Sequence, residues 1–151
     1  MSVRGVAAVC LGLTVILGLG CQDKPDSPSG PLWSTNLEKA IERAGNESKP
    51  VLIDFGADWC KPCKRMHTEV FVEPSVHKRL KTQFVTVLID ATEITPSVSQ
   101  LLQKYRVGTL PTIVFLNARG EFLKDQSLVG FTNVDELNTR LSKVEKLVSQ
   151  P

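Results

Sequence analysis

Cys60 and Cys63 stand two residues apart in the segment Asp54-Phe55-Gly56-Ala57-Asp58-Trp59-Cys60-Lys61-Pro62-Cys63-Lys64. A Cys-x-x-Cys pair suits thiol–disulfide exchange. One thiolate attacks a disulfide, and the second thiol resolves the mixed disulfide so formed. The apolar run Val51–Phe55 reads as a buried strand, so the pair falls where a strand hands over to a helix. A sulfur at a helix N-terminus meets unpaired backbone N–H groups and the positive end of the helix dipole, which favour thiolate over thiol. Lys61 and Lys64 add positive charge, and Pro62 fits the first helical turn without loss of a hydrogen bond. Cys60 is therefore expected as the exposed nucleophile and Cys63 as the resolving thiol, almost one turn further on. A different chemistry uses Cys60, Cys63 and His67 to hold a soft metal such as Cu(I). No fourth ligand is evident, so the reading assigns no metal site and no cofactor.

The elements that must position this pair alternate. Leu37, Ala40, Ile41 and Ala44 recur at helical spacing, with Ser34, Thr35 or Asn36 as cap and Gly45-Asn46 as the stop. After the strand at 51–55, a helix carries Cys63, Met66, His67 and Val70 on one face, and Val76 and Leu80 mark another. Phe84–Asp90 is a second strand. Val98, Leu101, Leu102 and Tyr105 form a helix closed by Gly108. A strand begins at Pro111 and runs to Leu116, and Asn117-Ala118-Arg119-Gly120 turns into a weaker strand through Phe122 and on to Val129. Val134, Leu137, Leu141, Val144 and Val148 line a closing helix. This order implies an α/β fold: a central mixed β-sheet flanked by helices on both faces.

The chain of 151 residues suffices for one domain, and 42% hydrophobic with 23% charged residues is an ordinary globular balance. A net charge of +2 points to no nucleic-acid partner, and a monomer is expected. The other two cysteines lie elsewhere. Arg4 is followed by about fifteen apolar residues ending at Gly20-Cys21. That is short for a membrane span, which needs about twenty. The stretch resembles a bacterial lipoprotein signal, with residues 1–20 removed and Cys21 becoming the lipidated first residue. Gly18 and Leu19 depart from the usual order of that pattern. An uncleaved anchor, or a plain signal with Cys21 as a spare thiol, are the alternatives. Cys10 lies within the removed part. Residues 21–32, rich in Pro and polar residues, read as a flexible tether, and residues 33–151 as the folded domain. Gln22 after the cysteine, rather than aspartate, favours the outer membrane by resemblance to enterobacterial sorting.

Lys49-Pro50-Val51-Leu52-Ile53-Asp54, Ala57-Asp58-Trp59-Cys60, Cys63-Lys64, Gly108-Thr109-Leu110-Pro111-Thr112-Ile113 and Val129-Gly130-Phe131 together resemble the thioredoxin family. Within it, they are most like the C-terminal periplasmic thioredoxin-like domain of DsbD-type transmembrane reductases. The likeness spans about residues 34–142. It implies a thioredoxin fold and a redox-active Cys60–Cys63 disulfide. It further implies a cis-proline at Pro111 and substrate contacts at Trp59, Lys61, Pro62 and Leu110. The family's buried acid maps onto Asp54, which would move the proton of Cys63; the plainer reading is a carboxylate hydrogen-bonded within the fold. Thioredoxin pairs that acid with a lysine on the next strand, which aligns with Thr86. The glutamate that DsbD-type domains carry after the second cysteine is His67 here, read as a surface or half-buried helix residue. The implied activity is a periplasm-facing protein-disulfide reductase acting on disulfide-bearing exported proteins and re-reduced by a DsbD-type membrane electron donor. Pro62, with no histidine between the cysteines, sets the pair nearer reducing thioredoxins than DsbA-type oxidants, whose potential lies about 150 mV higher. A periplasmic oxidant or isomerase is the alternative within the same chemistry.

Overall fold

The computed structural model describes residues 32–149. The signal, Cys10, Cys21 and the tether to residue 31 lie outside the described residues. The strongest local signal in the chain, Val51-Leu52-Ile53-Asp54-Phe55-Gly56, forms β1 (Val51–Gly56), buried along its whole length. Such a strand must be covered on both faces, and it is. Val51, Ile53 and Phe55 point to one face, with Ala40 and Ala44 of α1 (Leu37–Glu47) and Tyr105 just beyond α4 (Pro96–Lys104). Leu52 points to the other face. There it joins Met66, Val70 and Phe71, Val76 and Leu80 of α3 (Pro74–Gln83), and Leu137, Leu141 and Val144 of α5 (Val134–Val148).

The sheet order is β2-β1-β3-β4. β2 (Val85–Asp90) pairs parallel to β1, whereas β3 (Thr112–Leu116) lies antiparallel to β1, and β4 (Leu128–Val129) antiparallel to β3. Alternation carries across β3: Ile113 and Phe115 join the α3/α5 core, Val114 and Leu116 the α1/α4 core. The mixed sheet with helices on both faces is thus as expected. On the outer edge of β2, Ser34 forms a parallel bridge to Val87, accepting from the Leu88 amide at 2.9 Å and donating to the Thr86 carbonyl at 3.0 Å. None of the described helices is long and apolar enough to cross a membrane.

Three expectations differ in detail. Helix α1 runs through Gly45 and Asn46 and ends at Ser48, which takes the left-handed conformation (φ 53°). Gly45 stays inside the helix, and a Cβ there would meet the Ala118 carbonyl oxygen at 3.4 Å, an ordinary contact. Asn36 is the cap, accepting from the Lys39 amide at 3.0 Å. β3 begins at Thr112, one residue after the proline. The weak strand past Gly120 is broken: Phe122 makes a single bridge to Leu116, the chain turns through a 3-10 helix at Lys124–Gln126, and only Leu128–Val129 pair again. The Arg140 guanidinium on α5 holds the turn by its Asp125 and Ser127 carbonyls, at 3.3 and 3.2 Å.

Candidate active site

β1 delivers the chain to the cysteine pair. Beyond Gly56 a turn closes with the Cys60 amide on the Ala57 carbonyl at 3.0 Å, and α2 (Lys61–Arg65) begins. Cys60 is its N-cap, extended at φ −85° and ψ 97°, with Pro62 in the first turn. The Cys60 Sγ accepts from the Cys63 amide at 3.2 Å, so the helix terminus does address this sulfur. Cys60 and Cys63 form a disulfide, with Cα atoms 5.3 Å apart. Cys63 lies over Gly56, where a Cβ would stand 3.6 Å from the Cys63 Cβ.

Cys60 was expected to be exposed, and here the structure differs. In the disulfide form Cys60 is 5% exposed and Cys63 3%. Ala57 and the half-buried Leu110 pack against the pair. A sulfur tied back toward the helix presents little surface, which is the physical reason for the difference.

Opposite the disulfide, the Leu110–Pro111 peptide is cis. The loop around it is held by Thr112 Oγ1 donating to the Thr109 carbonyl and by the Gly130 amide donating to the Pro111 carbonyl, both at 2.8 Å. Around this junction Trp59 is 64% exposed, Val129 68% and Phe131 37%, and Lys61 and Pro62 are exposed too. The Arg65 guanidinium lies 4.2 Å from the centre of the Phe131 ring. Trp59 is steadied by residues the sequence reading missed. Its Nε1 donates to the Thr92 carbonyl at 3.3 Å, and the Asp58 amide donates to Thr92 Oγ1 at 2.8 Å. Thr92 in turn donates from its hydroxyl (2.5 Å) and amide (2.8 Å) to Asp90, holding that carboxyl below its ordinary range. An Asp-x-Thr at the end of β2 was the available signal for such a turn.

Asp54 faces the α3/α5 side, two residues before Gly56 and on the same face. It is fully buried. Thr86 is not its partner, because that hydroxyl donates to the Leu32 carbonyl. The partner is His67, whose Nε2 lies 2.7 Å from Asp54 Oδ2. Asp54 Oδ1 has no hydrogen-bond partner. Burial pushes the Asp54 carboxyl above its ordinary range, against the opposing pull of the His67 hydrogen bond and charge. His67 lies on a π-helical turn, Met66–Val70, that continues α2. Its ring is packed by Trp33 and Phe71, with centroids at 5.3 and 5.0 Å.

Residues 37–145 match the family model described as a thioredoxin-like domain. The chain is 36% identical over 103 residues to the thiol:disulfide interchange protein DsbD of Photorhabdus laumondii. That match covers 67% of this chain and only 17% of the relative, so the chain spans about a sixth of the relative's length. The oxidised C-terminal domain of Neisseria meningitidis DsbD superposes with a TM-score of 0.64 at 28% identity, covering 74% of this chain and 98% of that one. A thioredoxin from Thermus thermophilus superposes at 0.63 with 28% identity, covering 73% and 84%.

Proposed function

The chain belongs to the thioredoxin-like family, and from that premise we propose that it is a thiol–disulfide oxidoreductase that reduces disulfides of exported proteins. One observation carries the reading: the Cys60–Cys63 disulfide caps α2 directly off a buried strand, beside the cis Leu110–Pro111 peptide. In the reduced state the Cys60 thiolate attacks a client disulfide. A Cys60–sulfur bond forms, the client S–S bond breaks, and the departing client thiolate takes up a proton. Cys63 then attacks Cys60 Sγ. The Cys60–Cys63 bond closes, the second client thiolate leaves, and two electrons have passed to the client. Asp54 takes the Cys63 proton. Leu110 presents its backbone to the incoming chain, and Trp59, Lys61 and Pro62 form its contact surface. A membrane electron donor of DsbD type restores the dithiol. The domain faces the periplasm on a lipid attached to Cys21, more in keeping with the outer membrane than the inner.

The test uses insulin reduction together with mixed-disulfide trapping. Cys60→Ser abolishes turnover, and Cys63→Ser accumulates a client disulfide on Cys60. Faster alkylation of Cys63 than of Cys60 at neutral pH reverses the assignment. A periplasmic oxidant or isomerase remains the second reading, separated by the potential considered below. A copper module is less well supported: the two sulfurs are joined to each other, and His67 Nε2 is committed to Asp54.

A further inference from the structure

Helix α2 and its π turn run back over β1, and two spacings match. Cys63 and His67 are four residues apart, a rise of about 6 Å along a helix. Gly56 and Asp54 are two residues apart, about 6.6 Å along a strand. Cys63 therefore stands over Gly56 while His67 stands over Asp54, with Nε2 2.7 Å from Oδ2. One carboxylate oxygen is held by the ring, and the other, fully buried, has no partner. We propose that His67 is a positioning residue for the resolving half-reaction: it fixes Oδ2 of Asp54, supplies the positive charge that keeps this carboxylate ionised, and leaves Oδ1 as the base for the Cys63 proton.

The surroundings make His67 the decisive neighbour. Across the sheet Asp54 is flanked by Leu88 and Ile113, both apolar. Trp33 and Phe71, which pack the imidazole, do not ionise. On its own helix Lys64 is exposed, and Glu69 is bound to Arg65 at 2.9 Å. Among the described residues no other charged group pairs with His67. A buried carboxylate with apolar flanks favours its neutral form, and burial does raise this one. An acid already protonated cannot accept a proton, so the His67 hydrogen bond and charge, which pull against burial, favour Asp54 as the base. The ring is half-buried, with 32% of its side chain exposed. In the step itself the Cys63 S–H bond breaks toward Oδ1 as the Cys63–Cys60 bond forms. The bond from Cys60 to the client sulfur breaks, that sulfur leaves as a thiolate, and Asp54 later returns its proton to water.

This inference rests on the exchange reading, and one experiment separates the two. The full-length reduced protein is mixed with excess 5,5′-dithiobis(2-nitrobenzoate) in a stopped-flow instrument. A first phase, dependent on reagent concentration, reports attack by Cys60. A second, concentration-independent phase reports displacement of the bound aromatic thiolate by Cys63. His67→Gln keeps a donor for Oδ2 without the charge. It should slow the second phase severalfold at pH 7 and move its pH midpoint upward, because the charge that favours the carboxylate is gone. Asp54→Asn should slow the phase as well, and adding His67→Gln to it should cost nothing more. A His67→Gln pH profile that superimposes on the wild-type profile overturns the proposal, as does undiminished slowing in the Asp54→Asn background. A wild-type protein lacking the first phase overturns the exchange reading and this inference with it. In the unmutated protein, the Asp54 carboxyl carbon resonance should shift as the His67 ring titrates; an Asp54 signal indifferent to the ring also overturns the proposal.

Discussion

Replacing Asp54 by Asn should stabilise the oxidised protein, and the gain should grow with pH. Asp54 is fully buried and its Oδ1 is unpaired. An unpaired buried polar atom costs about 1–3 kcal/mol, and more when it bears charge. Asparagine has nearly the same shape, keeps an oxygen for the His67 bond and carries no charge, although its amide brings two donors that offset part of the gain. The net effect is about 1–2 kcal/mol at pH 8, or roughly 4–8 °C in Tm for a domain of this size. The sign follows from the raised carboxyl. Below the unfolded value of 3.8 the acid is neutral in both states, and its stability contribution is fully present. As pH rises from there through the folded-state value, only the unfolded chain sheds the proton readily, and stability is lost. The gap between Asn and Asp should therefore open above pH 3.8 and level off above the folded-state value. Thermal and urea melts of both oxidised proteins between pH 3.5 and about pH 9 measure it. Repeating the pair in a His67→Gln background removes the ring's own titration. A gap constant with pH, or an Asn variant less stable at pH 8, refutes the burial argument.

Three further outcomes are expected. Equilibration in glutathione buffers should place the Cys60–Cys63 couple between about −270 and −180 mV, the span from thioredoxin to protein disulfide isomerase; a value near −120 mV makes the oxidant reading the better one. Thr92→Val removes the acceptor of the Asp58 amide, so hydrogen exchange at Asp58 should accelerate at least tenfold, with a loss of about 1–2 kcal/mol in stability. Unchanged Asp58 exchange means that Thr92 does not hold the Trp59 turn. Mass spectrometry of the purified full-length product should show a chain starting at Cys21 with added acyl mass; an intact Met1 or an unmodified Cys21 contradicts the anchor.

Much of this architecture is readable from short-range pattern. β1 and β2 are nearly continuous apolar runs, α5 repeats apolar residues at helical spacing, and a Cys-x-x-Cys after a buried strand states its own chemistry. What the sequence hid depends on elements being brought together. Nothing local in Met66-His67-Thr68 says that a π turn will set His67 over Asp54, thirteen residues earlier. Likewise Thr92 meets Asp58 only because β1 and β2 lie side by side in parallel, so the loops leaving them emerge together. The Gly45-Asn46 stop failed for another reason. The left-handed cap that ends the helix is taken by Ser48 (φ 53°) while Gly45 stays helical, a choice that composition does not reveal.

The Ser34 bridge bears on self-association. A parallel-start sheet such as this has two open rims, and an uncovered rim offers its free N–H and C=O groups to any extended chain. On the β4 side the rim is only Leu128–Val129. On the β2 side, residues 32–34 already cover the middle of the rim, with Ser34 engaging the Thr86 carbonyl and the Leu88 amide and the Leu32 carbonyl taking the Thr86 hydroxyl. Trp33 is pinned between them by Phe71 and His67. The stretch that leads into the domain thus acts as a guard strand. A shortened chain starting at Leu37 would bare the β2 rim and invite rim-to-rim pairing between copies, a hazard that grows where many molecules are crowded onto one surface.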